Sequence, residues 1–95
     1  MAQFDLMRGY DLGNGNVREV YASPRTYKSY DEAINALLSL GKKYMIDMFM
    51  KHMHVNCEKV VYDACYDEHC GYGYNGLKIK SEYCNFFYFI KPVFI

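Results

Sequence analysis

Residues 29–56 read SYDEAINALLSLGKKYMIDMFMKHMHVN, and they decide the fold class. Ser29-Tyr30-Asp31-Glu32 has the Ser-x-x-Glu spacing of a capping box, and its carboxylates stand where the positive end of a helix dipole favours them. Behind the cap, Ile34, Leu37, Leu38, Gly41, Met45, Met48, Phe49 and His52 recur at steps of three and four, the period of one helical face. The spacing predicts one amphipathic helix over about 30–54 with Asn56 as its stop, since Asn tolerates the left-handed conformation. Gly41 costs about 1 kcal/mol relative to Ala in a helix interior, so a kink there is a second form of the same element.

Outward from the helix, the pattern turns to period two. Phe4, Leu6 and Tyr10 alternate loosely, Asp11-Leu12-Gly13-Asn14-Gly15-Asn16 is rich in turn formers, and Val17 to Ala22 follows, which together read as a β-hairpin. Ser23-Pro24 should end it, because proline has no N–H to give a ladder. On the C-terminal side Glu58 to Tyr66 alternates as a half-buried strand, and 69–76 is a turn region. Leu77 to Ile90 reads as one long last strand of β-branched and aromatic residues. Residues 57–76 carry one Lys and four acids, whereas 77–95 carry three Lys and one Glu. Antiparallel pairing would therefore set Asp67 and Glu68 near Lys78 and Lys80. The expected architecture is α+β, in the order ββαββ: a four-stranded antiparallel sheet packed on one face by the long helix. A chain of 95 residues fits a single domain, 1–95.

Composition removes several function classes. Eleven Lys+Arg balance eleven Asp+Glu, so the whole-chain charge points neither to a basic nucleic-acid binder nor to an acidic DNA mimic. No run approaches the about 18 apolar residues of a membrane-spanning helix, and the N-terminus lacks the pattern of a signal peptide. The expectation is a soluble, cytoplasmic protein whose Cys57, Cys65, Cys70 and Cys84 are thiols. His52, His54 and Cys57 form one cluster of metal-ligating types, and Cys65, His69 and Cys70 form another. A continuous strand between them would hold them roughly 35–40 Å apart, so no shared metal is expected. Cys70 beside His69 shows no through-space base, and Gly13-Asn14-Gly15 lacks the Lys and Ser/Thr of a phosphate loop. No catalytic residue and no cofactor is assigned, and the chain reads as no enzyme.

Two binding readings remain. Tyr72 and Tyr74 stand in a loop otherwise made of small and polar residues, His69 and Asn75 among them: either this composition lets tyrosine reach a protein partner, or the glycines only make the turn while the tyrosines fold back over the sheet. In Phe86-Phe87-Tyr88-Phe89-Ile90 large apolar residues must point to both faces of a strand, and Phe87 and Phe89 exceed what one covering helix can bury. That strand must lie centrally under the helix and the N-terminal segment, or meet another protein, a second copy included. The alternative is nucleic-acid binding by Arg18, Arg25 and Lys28, which interleave with Tyr21, Tyr27 and Tyr30. Lys42, Lys43 and Lys51 look like the solvated face of the helix.

In style the chain resembles the small proteins that bacteriophages use against host machinery, anti-CRISPR inhibitors among them: short, rich in Tyr and Met, ββαββ in pattern and without catalytic motifs. The resemblance implies a stoichiometric inhibitor that occupies a site on a larger bacterial protein or nucleoprotein complex. Because the chain is neutral, blockage by shape or by holding a target in one conformation is implied rather than imitation of DNA.

Overall fold

The N–H of Glu32 donates to Ser29 Oγ at 3.2 Å, and from this cap a single helix, α1, runs over Tyr30–Met50. The computed structural model describes residues 2–13, 16–62, 73–81 and 85–94. Around α1 stand five strands, β1 (Ala2–Gly13), β2 (Asn16–Tyr27), β3 (Val55–Val60), β4 (Gly76–Ser81) and β5 (Asn85–Phe94). They form one open antiparallel sheet in the order β2-β1-β5-β4-β3. The class is α+β as expected, but the order is ββαβββ with five strands, not ββαββ with four.

The difference lies in Leu77 to Ile90, which folds back on itself with Gly76 opposite Phe89 and Lys80 opposite Asn85. A single strand could not have served. Leu77 and Ile79 are odd-numbered and Phe86, Tyr88 and Ile90 even-numbered, yet all five belong to the one core against α1. Side chains alternate faces strictly along a strand, so only a reversal between the two groups brings them to the same side. Glu82, Tyr83 and Cys84 lie outside the described residues.

β5 is central, flanked by β1 and β4, which answers its two apolar faces. Phe86, Tyr88 and Ile90 join Phe4, Leu6, Leu77, Ile79 and Val55 beneath Ala33, Ile34 and Leu37 of the helix. Burying Ile34 or Leu37 completely contributes about 1.5–3 kcal/mol each. The helix runs unbroken through Gly41. That residue is buried, and a Cβ there would stand 2.5 Å from Leu77 Cδ1, so it lets α1 come down onto β4.

Three boundaries also depart from the sequence reading. β2 continues through Ser23-Pro24 to Tyr27, because β2 is an edge strand and Ala22 to Arg25 bulge out opposite Leu6. Thr26 Oγ1 donates to Asp5 Oδ1 at 3.0 Å where the pairing resumes. The helix stops at Met50, short of the expected residue 54. His52 takes the left-handed conformation (φ 57°) in place of Asn56, with its N–H on Phe49 C=O and that of Met53 on Met48 C=O, a Schellman cap. β3 consequently starts at Val55 and sets Glu58, not Asp67 or Glu68, opposite Lys78. Asp67, Glu68 and the rest of 63–72 lie outside the described residues.

Candidate binding surfaces

Of the loop expected to carry a partner, His69 and Tyr72 lie outside the described residues. Tyr74 is half-buried against the core cluster; its carbonyl accepts from Tyr30 Oη at 2.9 Å, and Lys59 Nζ stands 4.8 Å from its ring centroid. Asn75 is fully buried, so its side chain faces the interior and not a partner. Its N–H donates to Val60 C=O at 3.2 Å, its C=O accepts from Ile90 N–H at 2.9 Å, and its Oδ1 accepts from Tyr62 N–H at 2.9 Å. Those bonds make it the junction of β3, β4 and β5.

Phe87 and Phe89 occupy the sheet face away from α1, as the alternation required. Phe89 is buried and Phe87 half-buried, because Tyr62 covers them: its ring stacks on Phe87 at 4.3 Å and 26° and lies 6.1 Å from Phe89. Two glycines make room for this stack. A Cβ on Gly9 would run into the Phe87 ring, and one on Gly76 would run into the Tyr62 ring. Burial pushes the Tyr62 phenol well above its ordinary pKa, with the Glu58 carboxylate adding to the shift, and its hydroxyl has no hydrogen-bond partner among the described residues. Beside the stack a cleft of about 420 Å³ is lined by Tyr62, Lys78, Lys80, Asn85, Phe86 and Phe87.

The 18–30 segment does not gather into one basic patch. Arg18, Arg25 and Lys28 are all exposed, but Arg18 and Lys28 are ten positions apart on and beyond an extended strand, up to about 30 Å. Arg25 lies over the half-buried Tyr27 ring at 5.5 Å, and Tyr27 Oη is 3.4 Å from Ser23 Oγ. An arginine absent from the sequence reading is instead clad in aromatics. The Arg8 guanidinium stands 3.9 Å from the Phe86 ring centroid and 5.0 Å from that of Tyr10, a cation–π arrangement inside the core rim.

The most exposed apolar patch was also missed. Ile46, Phe49 and Met50 are 52%, 78% and 72% exposed, on the side of α1 turned away from the sheet. The sequence reading put Phe49 and His52 on the buried face, and the structure exposes both. The available signal was the width of the apolar pattern, since Ile46 and Met50 fall a half-turn from Ile34 and Leu37. Lys42, Lys43, Asp47 and Lys51, all exposed, border the patch and leave it net positive.

Chemistry-bearing groups are sparse. His52, His54 and Cys57 are each exposed, and among the described residues no three His, Cys, Asp or Glu gather to hold a metal ion. Partial desolvation raises the Cys57 thiol above its ordinary pKa and Lys59 offsets some of that, so the group is not an activated thiolate. Cys65, Cys70 and Cys84 lie outside the described residues. Among the described residues no helix is long and apolar enough to cross a membrane. No protein-family model, curated protein or solved structure matches the chain. The functional reading therefore stands on the surfaces themselves.

Proposed function

We propose that this chain is a non-enzymatic protein-binding protein that docks the outward face of α1 into a groove of a larger bacterial protein or nucleoprotein complex. The observation that carries the reading is the exposure of Ile46, Phe49 and Met50 together, spaced i, i+3, i+4 along one helix. That spacing is how an amphipathic helix presents anchors to an apolar groove. Lys42, Lys43 and Lys51 around them select a groove rimmed by carboxylates. A second copy would bring the same lysines against their own kind, so the occupant is a different protein. The style-level likeness to phage inhibitors supplies the class of target, a host defence complex in the bacterial cytoplasm, and the mode, stoichiometric occupation of a site.

The test compares capture from a bacterial lysate by the wild-type chain, by Phe49→Ser/Met50→Ser, and by a Tyr21→Ser control on the exposed edge strand. The expected result is a specific protein that is retained by wild type and control, is lost with the double variant, and forms a one-to-one complex when purified. Identical capture by all three, or a wild-type homodimer that the double variant dissolves, would overturn the reading.

A further inference from the structure

The sheet face away from α1 carries a second, chemically different surface. Its cleft of about 420 Å³ joins a neighbouring one of about 360 Å³ lined by His54, Asn56, Lys80, Ser81 and Asn85, and the two share Lys80 and Asn85. Sharing those two side chains, the clefts lie side by side along this face as an open track. Lys78 stands directly across from Phe87, and Lys80 across from Asn85, so each amine has a ring or a carboxamide beside it on the neighbouring strand. Lys78 and Lys80 share one face two residues apart, about 6.6–6.8 Å along β4. The Tyr62–Phe87 stack lines the larger cleft, and both residues are half-buried.

We propose that this track binds single-stranded nucleic acid, with a base against the side of the Tyr62–Phe87 pair that lines the cleft and the backbone phosphates on Lys80 and Lys78. Flat aromatic surface beside ammonium groups is what a splayed strand needs, since every base has a π-face and every linkage a negative charge. The carboxamides of Asn85 and Asn56 each offer a donor and an acceptor to base edges or sugar hydroxyls. A mononucleotide would fill the first cleft and leave the second empty. A duplex has its bases stacked inside and cannot present one to Phe87. Glu58, opposite Lys78, tempers the field there and leaves Lys80, which is exposed, as the leading phosphate contact.

Fluorescence anisotropy of an end-labelled twelve-nucleotide oligothymidylate tests this directly. Two phosphate contacts give a salt slope of about −1.4, so affinity should fall roughly sevenfold between about 50 and 200 mM salt. Lys78→Gln/Lys80→Gln, checked by circular dichroism, should weaken binding at least about fivefold at low salt and flatten the slope toward zero. Lys80→Gln alone, on an exposed side chain, should halve the slope. The Phe49→Ser/Met50→Ser variant should bind the oligonucleotide as wild type does, which separates this inference from the α1 reading. It is overturned by no binding at roughly 100 μM protein in low salt. Equal affinity for a duplex of the same length, full competition by an equimolar mononucleotide, or unchanged binding by the lysine variants would overturn it too.

Discussion

The backbone N–H of Tyr62 donates to Asn75 Oδ1 at 2.9 Å, and that bond ties the chain leaving β3 to the residue just before β4. Asn75→Ala leaves this N–H without its acceptor and opens a small cavity at a fully buried site. The expected loss is about 1–2 kcal/mol, the cost of the orphaned donor and the cavity less what is regained by removing the Asn75 Nδ2, a buried donor without a partner among the described residues. Urea denaturation should show it as a lower midpoint with an unchanged slope, and a loss under about 0.5 kcal/mol would mean that the main-chain bonds of Asn75 suffice alone.

Tyr62 itself carries a buried hydroxyl without a partner among the described residues. Tyr62→Phe keeps the stack on Phe87 and removes the unsatisfied group, so stability at pH 7 should be equal to wild type or higher. At alkaline pH the two should diverge. The folded chain holds the Tyr62 phenol above its ordinary pKa, so unfolding releases a proton once the pH passes about 10, and wild-type stability falls as pH rises. Thermal midpoints between pH 9 and 12 should drop more steeply for wild type than for Tyr62→Phe; parallel curves would remove this account of the phenol.

Gly76→Ala places a methyl group 2.6 Å from Tyr62 Cε2 and 2.9 Å from the Tyr88 carbonyl oxygen. The ring can shift but the carbonyl belongs to the central strand β5, so overpacking of about 1–3 kcal/mol is expected. In a domain of this size each kcal/mol lowers the midpoint by about 4–8 °C. A variant that melts with wild type would show that β4 and Tyr62 separate more easily than their packing suggests.

His52→Gly should act in the opposite direction. His52 sits at φ 57° in the cap of α1, a conformation that costs a side-chain-bearing residue about 1–2 kcal/mol and glycine almost nothing. Allowing for the greater entropy of glycine in the unfolded chain, a net gain of about 0.5–1 kcal/mol is expected. Calorimetry of the two proteins decides it, and a loss would mean that the His52 ring makes contacts worth more than the strain.

How much of this was legible depends on the range of the signal. The Ser29 cap and the run from Ile34 to Gly41 announced α1, and Phe4 to Ala22 announced the first hairpin, because caps, turns and alternation act over a few residues. The reversal inside Leu77 to Ile90 was encoded as a change of apolar parity between Ile79 and Phe86, but no glycine or proline marks it. Pro24 looked like a terminator and is not one, since only the strand order makes β2 an edge where a proline is tolerated. Asn75 looked like loop surface because its company is Gly and Tyr; its burial follows from three strands meeting at that point.

The sequence by itself determined an α+β domain, a capped helix over a β framework, and a last strand so apolar on both faces that either the rest of the chain or another protein must cover it. Only the tertiary structure decided that Phe49 and Met50 stay in solvent while Phe89 is covered, and that Lys78, Lys80, Asn85 and Tyr62 line one cleft. Periodicity tells which residues share a face, but which face is buried depends on what lies across it. That is settled by contacts between segments far apart in the chain, such as Gly9 beneath Phe87 and Tyr62 above Gly76.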